Sequence, residues 1–342
     1  MTGLSDSFQR PINYLRISVT DRCNLRCFYC MPAQGVSLLP REDVLSFEEV
    51  HTIVQAAAEL GISKVRLTGG EPLVRLGLPA LVGLLAGVKG IDDLSLTTNG
   101  LLLDRHAAEL RKAGLRRVNI SLDTMRPERF HRITRLGRPS TGSGHRLETV
   151  LEGIEAAREA GLTPIKINVV VLRGVNDDEL VDFASRSVDE GWHVRFIELM
   201  PFGEEHGTFR EGNSQHFVPL GEMMERLAPL GTLEPCPPSQ GNGNGPARYF
   251  RLPGARGTIG FISPVSEHFC VGCNRLRLTA DGQLRLCLLH NLEMDLRTPL
   301  RQGASILELK ALIEKAAARK PWGHELRAGV TSARNTMSQL GG

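Results

Sequence analysis

Three cysteines lie close together near the start of the chain. The stretch "TDRCNLRCFYCMP" places Cys23, Cys27 and Cys30 in a C-x3-C-x2-C spacing, and the next cysteine is Cys236. A structural zinc site uses four protein ligands, and ferredoxin-type iron–sulfur clusters likewise use four thiolates. Three thiolates leave one metal position open, which is typical of a catalytic centre that binds a further molecule.

A second cysteine set follows far downstream, in "CVGCNRLRLTADGQLRLC". It contains Cys270, Cys273 and Cys287, spaced C-x2-C-x13-C. The spacing alone leaves zinc and iron–sulfur equally open, with His268 or His290 as a fourth zinc ligand. The first set favours iron for the second as well. We expect Cys236, in a Pro/Gly/Asn-rich linker, to be a free thiol.

Composition narrows the class of protein. The chain has 342 residues, 41% of them hydrophobic and 23% charged, as expected for a soluble globular protein of one or two domains. The net charge of +3 is too small to indicate a nucleic-acid or membrane partner. Without a signal peptide or a membrane-length apolar run, the chain is expected to be cytoplasmic, where seven cysteines indicate metal ligands rather than disulfides.

Strand-like and helix-like segments alternate in the first part of the chain. Short runs rich in β-branched residues and leucine predict strands at 14–20, 64–69, 93–98, 117–123, 165–171 and 193–200. Helical runs between them include 46–61, where Ser46 and Glu49 form a capping box, and 176–191. Six strand–helix units predict a parallel sheet, either open and doubly wound or an incomplete barrel.

The pattern changes after about residue 210. "EPCPPSQGNGNGPARYF" is typical of a linker, and beyond it "GTIGFIS" and "RLRLTADGQLRLC" predict antiparallel strands with a turn at Asp281-Gly282. A last helix is predicted at about 305–319. We therefore divide the chain at 1–210 and 211–342. The Gly/Ser-rich stretch 136–146 predicts a surface loop, either a spacer or an active-site lid.

Polar residues collect where the predicted strands end. The first cysteine set, "TGGEP" (68–72), "TTNG" (97–100), Ser121 with Asp123, and Met200 follow successive strands. In a parallel α/β barrel these ends share one rim, which is where chemistry takes place. We expect Gly69-Gly70 to let a ligand approach the backbone closely.

Basic residues within the strands predict an anion pocket at the same rim. Guanidinium groups suit phosphate oxygens, and Arg275 and Arg277 would share one face of a strand. A cationic pocket between two cysteine sets indicates a polyphosphate substrate. The cations concerned are Arg16, Arg66, Lys166, Arg195, Arg275 and Arg277.

These motifs together resemble a known family. "CNLRCFYC" with "GGEP" resembles the radical S-adenosylmethionine (SAM) superfamily. "VRLTGGEPL", "LTTNGLLL", "RFIELMPFG", "FCVGCNRLRLTADG" and the terminal Gly341-Gly342 are similar, over nearly the whole chain, to the GTP 3′,8-cyclase family. That family performs the first step of molybdenum cofactor biosynthesis on an incomplete (βα)6 TIM-like barrel with a smaller C-terminal domain.

The resemblance implies a role for each motif residue. Cys23, Cys27 and Cys30 would hold a [4Fe-4S] cluster whose fourth iron binds SAM, and Cys270, Cys273 and Cys287 a second [4Fe-4S] cluster whose open iron meets the guanine of GTP. The SAM-contacting positions would be Tyr29, Gly70, Ser121 and Met200. The GTP-contacting positions would be Arg16, Arg66, Thr97, Lys166, Arg275 and Arg277, with Arg275 and Arg277 also catalytic. Arg195 and Lys64 are weaker candidates, and Gly341-Gly342 would reach into the site.

The implied reaction is a radical cyclisation. A radical from SAM would take hydrogen from C3′ of the GTP ribose, and C3′ would then add to C8 of guanine. An electron donor and a downstream cyclic pyranopterin monophosphate synthase are the implied partners, and a homodimer stays open. The alternatives are another radical SAM enzyme with an auxiliary cluster, such as a peptide maturase, and a zinc-binding scaffold without enzymatic activity.

Overall fold

The computed structural model describes residues 3–136, 146–200, 214–237, 245–324 and 337. Most of the predicted 136–146 loop and the terminal Gly341-Gly342 lie outside the described residues. The strands are β1 Tyr14–Ser18, β2 Lys64–Thr68, β3 Asp93–Thr98, β4 Arg117–Ser121, β5 Lys166–Val171, β6 His193–Glu198, β7 Glu234–Cys236, β8 Arg248–Arg251, β9 Thr258–Ile262, β10 Arg275–Leu278, β11 Gln283–Arg285 and β12 Glu293–Asp295. The α-helices are α1 Phe47–Glu59, α2 Leu78–Ala86, α3 Leu103–Lys112, α4 Pro127–Thr134, α5 Arg146–Glu159, α6 Leu180–Asp189, α7 Leu220–Leu227, α8 Arg297–Arg301 and α9 Ile306–Ala318.

Strands β1 to β6 lie side by side in chain order, each parallel to the next. Helices cross between them, as the alternating pattern predicts. The capping box at the start of α1 is present, since Ser46 accepts from the Glu49 N–H and Glu49 accepts from the Ser46 N–H. The predicted α/β fold with six strand–helix units is confirmed, and each predicted strand is found within two residues of its predicted bounds.

The prediction of a purely antiparallel C-terminal region was wrong in part. The full sheet has twelve strands in the order β12-β11-β10-β1-β2-β3-β4-β5-β6-β9-β8-β7. Strand β10 pairs parallel with β1, and β9 pairs parallel with β6, so the C-terminal region extends both edges of the six-stranded sheet. Antiparallel pairing begins only one strand further out, in β10–β11 and β8–β9.

One apolar core serves both parts of the chain. Its buried residues include Ile17 and Val65 from the first strands and Ile259, Leu276 and Leu309 from the C-terminal region. Helix α9 packs on α1, and Lys310 forms an ion pair with Glu59 at 3.1 Å. The division at residue 210 stays a prediction, since residues 201–213 are outside the described ranges.

A buried carboxylate fixes part of the rim of the sheet. Glu198, at the end of β6, accepts hydrogen bonds from the N–H groups of Leu220, Val265 and Ser266 at 3.0, 2.9 and 3.0 Å. This ties the start of α7 and the loop after β9 to the end of a barrel strand. Among the described residues, none of the helices combines the length and apolar character that crossing a bilayer requires.

Candidate active site

Both cysteine sets line one cavity at the carboxyl ends of the parallel strands. The cavity therefore lies at the rim that the sequence predicts. Its wall also contains most of the other predicted site residues. These are Tyr29, Gly70, Ser121 and Met200, together with Arg16, Arg66, Thr97, Arg195, Arg275 and Arg277.

The first cysteine loop is fixed by backbone contacts with the Gly69-Gly70 segment. The Gly70 N–H donates to the Thr20 carbonyl at 2.8 Å, and the Glu71 N–H donates to the Arg22 carbonyl at 2.7 Å. A Cβ added at Gly70 would lie 2.4 Å from the Arg22 carbonyl oxygen, which no side chain tolerates. The glycine is thus required by the chain's own backbone, and close approach of a ligand there remains a prediction.

The thiols of the first set lie in a region with little positive charge. Burial, then the neighbouring groups Cys30, Asp123 and Cys23, raise the pKa of the Cys27 thiol. Burial also raises the pKa of Glu71 to about 7, although its carboxylate accepts hydrogen bonds from the Thr98 hydroxyl and the Asn99 N–H, both at 2.7 Å. A bound cation or metal centre would restore the charge balance that these buried acids lack.

Tyr29 and Asp123 form a buried hydrogen-bonded pair beside this set. The Tyr29 hydroxyl donates to Asp123 Oδ2 at 2.6 Å, and the Val170 N–H donates to Asp123 Oδ1 at 2.8 Å. Burial raises the pKa of Asp123 to about 6. The pair joins the cysteine loop to the ends of β4 and β5, so it fixes where a ligand of the first set can lie.

The second cysteine set lies among cations. Burial alone would raise the pKa of the Cys273 thiol, but Arg275 and Lys320 lower it to about 6. Lys320 is 3% exposed and lines the cavity, where the thiols of Cys273 and Cys287 act on it. A thiolate is therefore favoured at Cys273 even before a metal binds, whereas burial raises the pKa of Cys270.

Three arginines form a row across three adjacent strands. Arg277 of β10 is in register with Arg16 of β1, which is in register with Arg66 of β2. Burial, then repulsion by Arg275, lowers the pKa of Arg277 to about 10, and burial lowers the pKa of Arg16 and Arg66. Like charges side by side in a sheet are unfavourable, so this row favours binding of an anion.

Lys166 does not line the cavity, contrary to the simplest interpretation of its strand position. It is fully buried in β5, and burial, Arg195, Arg117 and Arg66 lower its pKa to about 5. Arg195 does reach the wall, held by a 2.6 Å hydrogen bond to Asn119 Oδ1. Lys64 is likewise absent from the wall, so the direct contacts expected of both lysines remain untested predictions.

The sequence interpretation missed three polar residues around the cavity and misplaced one cysteine. Asn119 shares a strand face with Ser121, and this two-residue spacing could have identified it. Glu71 belongs to the "GGEP" motif, which by itself gives no sign of a separate role for its carboxylate. Lys320 follows a predicted helix and has no local sequence signal. Cys236 lies in the short strand β7, paired with Tyr249, and not in a flexible linker; it does not line the cavity.

The donor atoms suit two metal centres with three protein ligands each. All seven cysteines are thiols rather than disulfides, and the six of the two sets face one cavity. Within each set the thiols are near enough to act on one another's ionisation, since Cys30 and Cys23 raise the pKa of Cys27, and Cys287 and Cys273 raise that of Cys270. Thiolates are the ligands that iron–sulfur clusters use, so the residues present fit such clusters.

The zinc alternative has a geometric basis of its own. Ligand atoms of His268, Cys270 and His324 lie within 4.8 Å of one another, and could hold a metal ion. His290 instead contacts the Gly323 carbonyl through Nε2 at 2.9 Å. Geometry alone therefore keeps both metals open for the second set, and the relatives of the chain bear on the choice.

Two family models match the chain. Residues 17–186 match the radical SAM superfamily, and residues 192–326 match the family described as Molybdenum Cofactor Synthesis C. Together they cover both cysteine sets and most of the strands and of the cavity wall. The order of the two matches is the order of the two cysteine sets along the sequence.

Full-length relatives carry one name. The chain is 52% identical over 340 residues to a GTP 3′,8-cyclase of Pelotomaculum thermopropionicum, covering 99% of this chain and 100% of the relative. It is 50% identical over 339 residues to a GTP 3′,8-cyclase of Moorella thermoacetica, again covering 99% and 100%.

Solved structures agree on the fold. Streptococcus suis SuiB bound to S-adenosylmethionine aligns with a TM-score of 0.56 at 13% identity, covering 88% of this chain and 68% of that one. A further SuiB structure gives a TM-score of 0.57 at 14% identity, covering 82% and 61%. At this identity the likeness shows a shared fold and nothing about substrate.

Proposed function

The chain belongs to the GTP 3′,8-cyclase family of radical SAM enzymes, and from this premise we propose that it cyclises GTP to (8S)-3′,8-cyclo-7,8-dihydroguanosine 5′-triphosphate, the first step of molybdenum cofactor biosynthesis. The observation that carries the proposal is the single cavity lined by two cysteine sets and a row of arginines. A peptide maturase would need the two sets but has no use for a polyphosphate pocket.

Cys23, Cys27 and Cys30 would hold the first [4Fe-4S] cluster, and SAM would bind beside it. Gly70, Tyr29, Ser121 and Met200 are the proposed SAM contacts, supported by their common position on the cavity wall. The buried carboxylate of Asp123, fixed by Tyr29 and Val170, favours a cationic ligand in this half of the cavity.

Cys270, Cys273 and Cys287 hold the second [4Fe-4S] cluster, near which the guanine of GTP binds. Arg16, Arg66, Arg275 and Arg277 hold the triphosphate by charge-assisted hydrogen bonds, with Thr97 on the same wall. Lys166 is a further proposed GTP-binding residue, although it is buried in β5 and does not line the cavity. Arg275 and Arg277 also orient the substrate between the two halves of the cavity.

When bound, the first cluster and SAM supply the one-electron chemistry that begins the reaction at the GTP ribose. The chain's own contribution is position and exclusion of water. Holding the triphosphate on the arginines and the guanine near the second set would keep the ribose in the cavity that the first set also lines, which is a proximity effect. The buried walls keep water from a reactive intermediate.

Further proposals concern organisation and partners. We divide the chain into a radical SAM partial barrel (1–210) and a C-terminal auxiliary-cluster domain (211–342). We place the enzyme in the cytoplasm, with an electron donor for the clusters and with cyclic pyranopterin monophosphate synthase as the enzyme that takes the product. Light scattering of the anaerobic protein tests whether it forms a homodimer.

The deciding experiment is anaerobic. Iron and sulfide are quantified on protein purified without oxygen, and product is then analysed after incubation with SAM, reductant and GTP. Two clusters per chain and a cyclised GTP product support the proposal. Zinc in place of iron would favour the scaffold, and turnover of SAM with a peptide but not with GTP would favour the maturase.

A further inference from the structure

The segment that follows α9 lies against the second cysteine set. Lys320 is 3% exposed, and its Nζ donates to the Leu286 carbonyl at 2.5 Å, one residue before Cys287. The same side chain lines the cavity together with Cys273 and Cys287. The segment after α9 thus places a buried ammonium group beside the second cysteine set.

The residues after Lys320 are fixed from the opposite side by Arg10. Its guanidinium donates to the carbonyl of Cys270 at 2.7 Å and to the carbonyls of Pro321 and Trp322 at 2.7 and 2.6 Å. Asp6 accepts from Arg10 Nε at 2.6 Å and so orients it. The segment 320–322 is therefore linked to Cys270 through Arg10 and directly to Leu286, next to Cys287.

A buried ammonium group needs a counter-charge. Within the described part of the chain, no carboxylate forms an ion pair with Lys320; its hydrogen bond is to a neutral carbonyl. The anionic groups that act on it are the thiolates of Cys273 and Cys287, while Arg275 and Arg10 add positive charge nearby. Burying a cation without an anion is costly, so the position of Lys320 suits a negatively charged centre at these thiolates.

We propose that Lys320 is a positioning residue of the second metal centre, holding the Cys287 end of the site through the Leu286 carbonyl and offsetting the negative charge of the thiolate-bound cluster. The inference rests on the proposed function only in that the second set holds an iron–sulfur cluster. A nearby positive charge favours the reduced form of a cluster, so removing it should make the reduction potential more negative.

The test uses the full chain with the first set removed by Cys23→Ala, Cys27→Ala and Cys30→Ala, so that only the second cluster is observed. In this parent we compare Lys320→Met, Lys320→Arg and the control Lys315→Met, an exposed lysine on α9. The readouts are iron per chain and the midpoint potential from redox titration followed by electron paramagnetic resonance. We expect a more negative potential for Lys320→Met, recovery towards the parent value in Lys320→Arg, and no change for Lys315→Met.

The other outcomes decide whether Lys320 has the proposed role. An unchanged potential in Lys320→Met, or an equal change in Lys315→Met, overturns the inference while leaving the proposed function intact. If Lys320→Met binds no iron, Lys320→Arg decides: a retained cluster supports the inference, and its loss overturns it. A parent that assembles no cluster would overturn both this inference and the assignment of the second cysteine set.

Discussion

The two cysteine sets share a cavity but differ in the charge around them. The first set lies beside the buried acids Glu71 and Asp123, and burial raises the pKa of its central thiol, Cys27. The second lies beside Arg275 and Lys320, which lower the pKa of Cys273 to about 6. The charge of the cavity wall therefore differs between its two halves. The half beside the first set is acidic, and the half beside the second set is basic.

This difference in charge between the two halves matches the charges of the two molecules that the proposed reaction brings together. SAM carries a sulfonium cation and an ammonium group, whereas GTP carries a polyanionic triphosphate. A cation favours the acidic half and an anion favours the basic half, so we expect electrostatics to guide SAM and GTP to different halves of the cavity. The charges of the cavity wall would thus distinguish the two molecules without a separate binding domain.

The two sets also differ in what holds them. The first is fixed by the segment next to it in the sheet, through backbone hydrogen bonds of Gly70 and Glu71. The second is fixed by residues distant in sequence, Arg10 and Lys320. The first site is therefore local to two adjacent strands, whereas the second depends on both ends of the chain.

The largest expected effect comes from removing a thiol of one set only. Cys27→Ala should abolish SAM cleavage and reduce the iron content by about half, because the second set keeps its own ligands. Cys273→Ala should instead spare SAM cleavage and abolish GTP cyclisation. Iron analysis and quantitation of 5′-deoxyadenosine check both variants, and SAM cleavage that persists in Cys27→Ala would refute the division of labour.

A smaller effect is expected from the arginine row. Arg277→Ala should raise the Kd of GTP by roughly 10- to 100-fold, since a charge-assisted contact contributes about 1.5–3 kcal/mol. SAM binding should not change. Calorimetric titration of both ligands measures this, with the exposed Arg251→Ala as control. Equal weakening of SAM and GTP would mean that Arg277 supports the fold of the cavity rather than its basic half.

On the acidic side, Asp123→Asn should weaken SAM binding roughly tenfold, or about 1.4 kcal/mol, because a charge is lost while the shape is kept. Tyr29→Phe is the matched variant, since it removes the same hydrogen bond but leaves the carboxylate. Equilibrium binding of SAM to the reconstituted protein compares the affinities of the two variants. If the two variants weaken SAM equally, the hydrogen bond matters and not the charge.

Lys166 should make the stability of the protein depend on pH. Its folded-state pKa of about 5 lies below its ordinary value, so at pH 7 the unfolded chain binds more protons than the folded one. Stability should therefore rise with pH between 6 and 8, by up to about 1.4 kcal/mol per pH unit from this group.

Lys166→Met removes this dependence. Urea unfolding at pH 6, 7 and 8 should show a flatter curve for this variant, with its largest stabilisation at pH 6. The exposed Lys315→Met serves as control. Parallel curves for wild type and Lys166→Met would show that Lys166 is charged in the folded protein.

The smallest effect is expected for Cys236→Ser. This thiol lies in β7, away from the cavity, so iron content, SAM cleavage and GTP turnover should equal those of the wild type. Loss of the second cluster would mean that Cys236 is one of its ligands and that the second centre has no open position.

The sequence by itself determined the elements and the chemistry. Strand–helix alternation predicted six parallel strands, and the capping box at Ser46 placed the start of α1, because such patterns depend on local spacing. The cysteine spacings identified two three-thiolate sets in the same way. Arg277 and Arg275 were found because alternate residues of a strand share a face.

Only the tertiary structure decided how these pieces meet. No local pattern shows that β9 and β10 join opposite edges of one sheet, because strand pairing between distant segments is set by which faces the whole core buries. The same holds for Lys320, whose ammonium reaches the thiolates only because α9 packs on α1. Which charged groups lie beside each cysteine set is likewise decided by the folded chain, and this explains why the two halves of the cavity differ in charge.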